Sequence, residues 1–240
     1  MANKPYRALV GKLLYVAITC RPDIATAVSA IGSYSANPGR EHWEAAIQIV
    51  RYLKGTRDLV LVLGGKLNEV IIHAYADADW AGETDSLKSR SGYCIFLGSA
   101  LISWCSKLQQ SNSLSPTEAE YIPFSTTAQQ VVWEQKLLTE IGFPQLKATV
   151  IYEDNRNCIN IATTYKQHPA VKHIELRYHF IRDRILEVKD IQLVWMATGE
   201  MTADLFTKQL AFLLFSHHRA GLGLKQRRRA VLERVFLASS

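Results

Sequence analysis

The sequence predicts an α/β fold in which a small helical module precedes a sheet flanked by helices. Three early segments carry apolar residues at helical spacing, and from residue 59 onward the chain turns to β-branched and aromatic runs of strand length. One later run leads directly into a helical segment, which is typical of a strand that lies parallel to an earlier one. A chain of 240 residues is long enough to bury the core of one or two such domains.

The helical module is predicted within the first 66 residues. The run from Lys4 to Ala17 is apolar at helical spacing, and because Lys12 interrupts it and no cleavage site follows, we interpret it as a core helix and not as a signal peptide. Pro22 suits the first turn of a second helix. A third helix spans Trp43 to Leu53, and Gly55 is expected just beyond its end.

Five segments are predicted to form the sheet, after a shorter extended segment at residues 59–63. They are Val70–Ala76, Gly92–Gly98, Ala100–Trp104, Ala148–Tyr152 and Ile191–Trp195. Gly98 and Ser99 join the second and third as a hairpin. The polar stretch at residues 83–90 is predicted to be a loop, in which Lys88 and Arg90 either contact a phosphate or are merely solvated.

Acidic residues follow these strands. Asp77 and Asp79 end the first strand, Glu153 and Asp154 end the fourth, and only one of the latter two can face a given side because neighbours on a strand alternate. Asp204 is expected near the start of a short helix capped by Thr202, where the helix dipole favours a carboxylate.

A further pair of acids lies at the best-defined helix start. Ser115 is predicted to be the N-cap, Pro116 the first helical residue, and Glu118 the partner that completes a capping box. Glu118 and Glu120 point about 200° apart on a helix, so they cannot serve one site together. We therefore predict that Glu118 caps the helix and that Glu120 lies with the acids at the strand ends. If all these acids converge, they form an oxygen-only set suited to Mg²⁺ or Mn²⁺.

Composition sets broad limits on function. The net charge of +6 and the pI of about 9.1 favour a polyanionic partner, but much of the excess lies near the C-terminus. Four scattered cysteines without a Cys-x-x-Cys pair fit a reducing, intracellular compartment, and no apolar run is long enough to span a membrane.

Three histidines and a cysteine in the second half of the chain could in principle bind zinc. His168, His173 and His179 follow Cys158, but their five- and six-residue steps do not match a compact ligand motif. The pattern from residue 171 to 188 favours an amphipathic surface helix instead.

Ordered motifs carry a family resemblance. They are Tyr75–Gly82, Ser89–Tyr93, Ser103–Gln109, Thr117–Tyr121, Glu153–Asn155, Lys172–Asp183 and Thr202–Lys208. In this order they resemble the ribonuclease H domain of copia-type retrotransposon polyproteins. Upstream, Tyr6–Tyr15, Arg21–Ile24 and Arg51–Thr56 are similar to the segment that joins reverse transcriptase to ribonuclease H in that family. The resemblance covers roughly residues 5 to 215.

The resemblance implies a ribonuclease H-like mixed five-stranded sheet in the order 3-2-1-4-5. It divides the chain into a helical connector at residues 1–66, a ribonuclease H-like domain at residues 67–215 and a basic C-terminal tail at residues 216–240. The partners it implies are an RNA–DNA hybrid and the reverse transcriptase portion of the same polyprotein. The polymerase's aspartate motif is absent, so no polymerase activity is expected from this chain.

The resemblance also implies the reaction, which is metal-dependent hydrolysis of the RNA strand of a hybrid with two Mg²⁺ or Mn²⁺ ions. Asp77 would bridge both ions, Glu120 and Asp154 would each complete one side, and Asp204 would hold the hydrolytic side. Family position favours Asp154 over Glu153. The residues implied to face the duplex are Lys172, His173, Arg177 and Arg182.

Two alternatives stay open at this point. A degenerate retrotransposon relic would fold and at most bind nucleic acid. A transposase or integrase core would need a carboxylate triad that ends in a helix-borne Glu and a duplex DNA substrate, and the ordered motifs argue against it.

Overall fold

The structure, a computed structural model, describes residues 4–64, 70–83, 87–110, 112–113, 115–164 and 175–227. The predictions for His168, Lys172 and His173, and for the tail from residue 228 onward, concern positions outside these ranges.

The helical module has the three expected helices. They are α1 (Tyr6–Thr19), α2 (Ala25–Gly32) and α3 (Arg40–Gly55), with a 3₁₀ turn at Pro22–Ile24 before α2. Their apolar faces form a core of their own, in which the Tyr6 hydroxyl donates to the Ile31 carbonyl at 2.6 Å. Gly55 is the last residue of α3 and does not lie beyond it, because the Thr56 amide still donates to the Tyr52 carbonyl.

Within the described residues, seven strands form two sheets. The strands are β1 (Leu59–Leu61), β2 (Ile72–Asp79), β3 (Arg90–Leu97), β4 (Ala100–Leu108), β5 (Thr149–Glu153), β6 (Ile191–Trp195) and β7 (Leu224–Gln226). The main sheet has the order β4-β3-β2-β5-β6, in which β2, β3 and β4 are antiparallel neighbours while β5 lies parallel to β2 and β6. This confirms the predicted order and the hairpin at Gly98–Ser99.

Helices cover one face of the main sheet. They are α4 (Pro116–Glu140), α5 (Arg156–Thr163) and α6 (Glu175–Arg182), and a π-helical turn at Asp183–Val188 continues α6. Side chains such as Ile95, Phe124 and Ile181 are fully buried between these layers. Helix α4 crosses β2, which brings its first turn to the carboxyl end of that strand.

The opposite face is covered by the helical module and by the C-terminal part of the chain. The Trp104 indole of β4 donates to the Ala17 carbonyl at 2.9 Å, and the Thr26 hydroxyl donates to the Leu205 carbonyl at 2.7 Å. Helix α7 (Phe212–Gly221) leads into β7, which pairs with β1. The predicted division between residues 215 and 216 therefore falls inside a helix, and the predicted connector and tail share a small sheet.

Candidate metal centre

Three carboxylates meet at the carboxyl ends of β2 and β5. One oxygen each from Asp77, Glu120 and Asp154 lies within 4.8 Å of the others. The parallel pairing of β2 and β5 brings Asp77 and Asp154 to one edge, and Glu120 reaches that edge from the N-terminal part of α4. The Ala78 amide donates to Glu120 Oε2 at 2.7 Å and so ties the helix to the strand end.

Helix α4 begins where the sequence predicts. The Ser115 hydroxyl accepts a hydrogen bond from the Glu118 amide, and Pro116 is the first helical residue. Of the two acids in this turn, Glu120 lies in the triad and Glu118 does not.

The fourth predicted acid, Asp204, is joined to Asp77 through a lysine. Lys208 Nζ lies 3.0 Å from Asp77 Oδ1 and 2.9 Å from Asp204 Oδ1. Asp204 belongs to a 3₁₀ helix at Thr202–Phe206. The predicted cap at Thr202 is wrong, because Met201 occupies the N-cap position and no side chain caps this short helix.

Asp77 is fully buried, and both of its oxygens have partners. Lys208 contacts Oδ1, and the Thr207 hydroxyl donates to Oδ2. Adjacent residues after the 3₁₀ helix therefore fix the orientation of this carboxylate.

Gly92 permits this close approach. It is the register partner of Asp77 on β3, and a Cβ there would lie only 2.7 Å from the Phe206 Cβ and the Thr207 Cγ2. The missing side chain at Gly92 lets residues 206–208 pack against the sheet beside Asp77.

Burial and mutual repulsion disfavour the ionised form of the carboxylates in this site. Burial, with the neighbouring charges of Glu153 and Asp77, raises the pKa of Glu120 well above its usual range. Burial also raises the pKa of Asp77, although Lys208 and Thr207 oppose the shift, and it raises the pKa of Asp204 to about 7. Burial alone would lower the pKa of Lys208, but the carboxylates of Asp77 and Asp204 raise it overall.

These properties fit a hard divalent cation. All three triad ligands are carboxylate oxygens, the donor type that Mg²⁺ and Mn²⁺ prefer. A cation between them would offset the repulsion that raises the pKa of Glu120 and Asp77. The donor set therefore suits the predicted metals.

Glu153 is the acid beside Asp154 that the family resemblance does not favour as a ligand. It is fully buried, its Oε1 accepts from the Asn155 amide at 3.2 Å, and its Oε2 has no hydrogen-bond partner among the described residues. Its charge contributes to the raised pKa of Glu120. Its position at the end of a largely apolar strand is the sequence feature from which this burial could have been predicted.

Comparison with known proteins identifies relatives of the chain. No family model matches it. It is 41% identical over 208 residues to the retrovirus-related Pol polyprotein from transposon TNT 1-94 of Nicotiana tabacum, and 39% identical over 219 residues to that from transposon RE2 of Arabidopsis thaliana. These matches cover 87% and 91% of this chain. The chain is a copia-type Pol polyprotein homologue.

The match covers a limited part of those relatives. The chain spans 15% of the length of each of the two polyproteins. A solved structure of LC11-RNase H1 in complex with an RNA/DNA hybrid is 13% identical with a TM-score of 0.43, covering 57% of this chain and 93% of that chain. The order and directions of the five strands are those of a ribonuclease H-like fold, so we refer to the chain as the Pol homologue with a ribonuclease H-like domain.

Arg90 of the Pol homologue does not have the predicted position. It begins β3 instead of lying in a loop, and its side chain is 7% exposed. The guanidinium pairs with Glu83 at 3.3 Å and donates to the Ser29 hydroxyl at 2.6 Å. A buried, paired guanidinium is unsuited to a phosphate contact, so the geometry contradicts that prediction and gives Arg90 a structural role.

The other predicted duplex-facing residues differ in exposure. Arg177 is exposed on α6, and Lys88 is half-buried. Arg182 stacks on Tyr178, with its guanidinium carbon 4.9 Å from the ring centroid and a 2.9 Å hydrogen bond to the hydroxyl. Arg177 is therefore the most accessible of the three.

A second basic and aromatic pair lies beside the triad and was not predicted. The Arg156 guanidinium lies 4.4 Å from the centroid of the Trp195 ring, and Trp195 Nε1 donates to the Asp154 carbonyl at 3.0 Å. Thr198 also donates to Asp154 Oδ2 at 2.7 Å. These residues join the start of α5 and the end of β6 to one member of the triad.

The described residues do not support the zinc hypothesis. Among these residues, the potential metal ligands that lie close together are the three acids of the triad, and neither Cys158 nor His179 is one of them. Cys158 is fully buried in the main core. None of the helices in the described ranges is both long and apolar enough to cross a membrane.

Proposed function

We propose that this chain hydrolyses the RNA strand of RNA–DNA hybrids with the help of divalent cations. The observation that carries the proposal is the convergence of Asp77, Glu120 and Asp154 at one edge of a ribonuclease H-like sheet. Its homology to retrotransposon Pol polyproteins supports the same class of substrate.

The chain's own residues would hold Mg²⁺ or Mn²⁺ through the triad. When bound, such cations activate a water and stabilise the leaving oxygen of a phosphodiester. The family resemblance implies two ions, which Asp77 and Asp204 would also help to hold. Thr207 orients Asp77 by donating to Oδ2, and Thr198 orients Asp154 in the same way.

The proposed reaction is a hydrolysis that breaks one particular bond of the phosphodiester. The oxygen of a water forms a bond to phosphorus, and the bond from phosphorus to the 3′ oxygen breaks. The attacking water gives up a proton and the leaving 3′ oxygen takes one up, so the products carry a 3′-hydroxyl and a 5′-phosphate. The low dielectric around the buried Asp77 strengthens the electrostatic interactions that this step requires.

The substrate would be read by the surface around the triad. Selectivity for a hybrid requires contacts to 2′-hydroxyls across the wide minor groove. Arg156 and Trp195 provide exposed basic and aromatic groups beside Asp154, and Arg177 provides an exposed basic group on α6. In an intact polyprotein, we propose that reverse transcriptase would supply the hybrid to this site.

The test pairs a cleavage rate with a hybrid dissociation constant for wild type and Asp77→Asn. Removing one charge from the centre of the triad should lower the Mn²⁺-dependent rate at least about a thousandfold. Hybrid affinity without metal should stay the same or tighten slightly, since a negative charge near the phosphates is lost. Asp58→Asn changes an exposed acid that is not part of the triad and is the matched control. It should retain both the cleavage rate and the hybrid affinity.

Double-stranded DNA and single-stranded RNA complete the substrate panel. Wild-type cleavage of the hybrid alone is the expected result. A wild type that binds the hybrid but cleaves no faster than Asp77→Asn would overturn the proposal and favour the non-catalytic relic. Preferential cleavage of duplex DNA would favour the transposase alternative.

A further inference from the structure

We infer that the Lys208 ammonium takes the place of one of the two predicted divalent cations, so that the site binds a single ion at Asp77, Glu120 and Asp154. The inference rests on the proposed function for its metal site. It concerns the number of ions, and that number can be measured whether or not the chain cleaves RNA.

The position of the ammonium is the first argument. Lys208 Nζ lies between two carboxylates, 3.0 Å from Asp77 Oδ1 and 2.9 Å from Asp204 Oδ1. The two acids are almost fully buried, with side chains 0% and 3% exposed, whereas the lysine side chain is 28% exposed. The positive charge therefore reaches in from the open side and sits where a cation shared by Asp77 and Asp204 would be held.

The division of the acids is the second argument. One oxygen each from Asp77, Glu120 and Asp154 forms a compact group, and Asp204 is not part of it. Asp204 instead has the ammonium as its charged partner. The three-carboxylate group can hold one dication, while the fourth carboxylate is already neutralised by a monovalent one.

The fold builds this position for Lys208. The Lys208 amide donates to the Asp204 carbonyl at 2.9 Å, and the preceding residue, Thr207, is bonded to Asp77 through its hydroxyl. Gly92 allows the segment to approach β3 closely. Both the backbone and the neighbouring side chain thus hold the lysine next to Asp77, unlike a long side chain that samples the surface freely.

Electrostatics then argues against a second dication at the same place. It would have to share the Oδ1 atoms of Asp77 and Asp204 with the ammonium, and like charges a few ångströms apart repel strongly in a buried site. Displacing the lysine would move its charge away from the two buried carboxylates that it contacts. The single-ion arrangement avoids both costs.

The experiment counts Mn²⁺ ions on the full chain by titration, following the electron paramagnetic resonance signal of free Mn²⁺. Wild type is expected to bind one ion with high affinity. Lys208→Met keeps the length of the side chain but removes its charge, and it is expected to bind two. The double variant Lys208→Met with Asp204→Asn removes the ammonium and one of the two carboxylates that it contacts, so that Asp77 alone of the pair is left charged, and it is expected to return to one ion.

Lys208→Arg is the conservative variant and should keep the wild-type count of one. Two ions on wild type, or a single ion on both wild type and folded Lys208→Met, would overturn the inference and leave the proposed function standing. No ion on any variant would overturn both. One ion on wild type and two on Lys208→Met, without hybrid cleavage, would support the inference while the proposed reaction fails.

Discussion

Gly92→Ala is the substitution whose effect follows most directly from the packing around Asp77. An added Cβ would lie 2.7 Å from the Phe206 Cβ, 2.7 Å from the Thr207 Cγ2 and 3.0 Å from the Phe206 carbonyl carbon. Two of these atoms are fixed by the backbone, so a simple change of rotamer cannot relieve the contact. Residues 206–208 must move away from β3.

The magnitude follows from the cost of overpacking. An extra methyl group in a well-packed interior costs about 1–3 kcal/mol. For a chain of this length, each kcal/mol lowers Tm by roughly 2–4 °C, so we expect a decrease of roughly 2–12 °C. Because Thr207 and Lys208 move with the segment, Asp77 should lose partners, and Mn²⁺-dependent cleavage should fall as well.

Thermal unfolding followed by circular dichroism is the appropriate assay, with Gly199→Ala as the matched control. Gly199 lies near the same edge of the sheet, but a Cβ there would meet no atom within 4 Å. The control should unfold within about 2 °C of wild type. If Gly92→Ala unfolds at the same temperature as Gly199→Ala, the close approach of residues 206–208 to β3 is refuted, and with it our explanation of how Lys208 reaches Asp77.

Further substitutions separate stability from chemistry. Ser115→Ala removes the hydroxyl that accepts from the Glu118 amide and should cost about 1 kcal/mol in chemical denaturation while cleavage is retained. Glu120→Gln removes a half-buried carboxylate whose pKa is raised by burial and by neighbouring charges, so metal-free stability should be kept or increased while cleavage is abolished; loss of stability with retained cleavage would contradict the helix phase. Asp204 has a pKa near 7 when folded and 3.8 as its reference, so the folded chain binds the proton more tightly. In metal-free buffer, the stability contributed by protonated Asp204 should therefore be lost as pH rises from below 3.8 through about 7, and Asp204→Asn should show a smaller decrease between these values; equal slopes for both proteins would contradict it.

Much of the fold could be predicted from local patterns and from the family resemblance together. Strand and helix periods locate the elements because each period follows from backbone geometry. The order of the strands came from the resemblance, and the structure confirms it. The helix start at Ser115 was predictable because capping chemistry is local to four residues.

Tertiary contacts explain what the sequence analysis missed. Arg90 is a polar residue in a polar stretch, and its burial follows from Glu83 and Ser29, which lie 7 and 61 residues away. The pairing of β1 with β7 joins residues near 60 to residues near 225, and β7, a strand of three residues, carries too little periodicity to predict. Local patterns cannot reveal such contacts.

Lys208 shows how the same limit applies to the site itself. A lysine four residues after an aspartate is ordinarily a solvated surface pair that contributes little to stability. Here the aspartate is buried and a second buried aspartate, Asp77, lies 131 residues away, so one ammonium contacts two acids from different elements. The family resemblance therefore implies four metal ligands and two ions, whereas the three-dimensional arrangement places an ammonium between two of the four acids. The charge that a metal must supply depends on which basic groups the fold has already brought into the site.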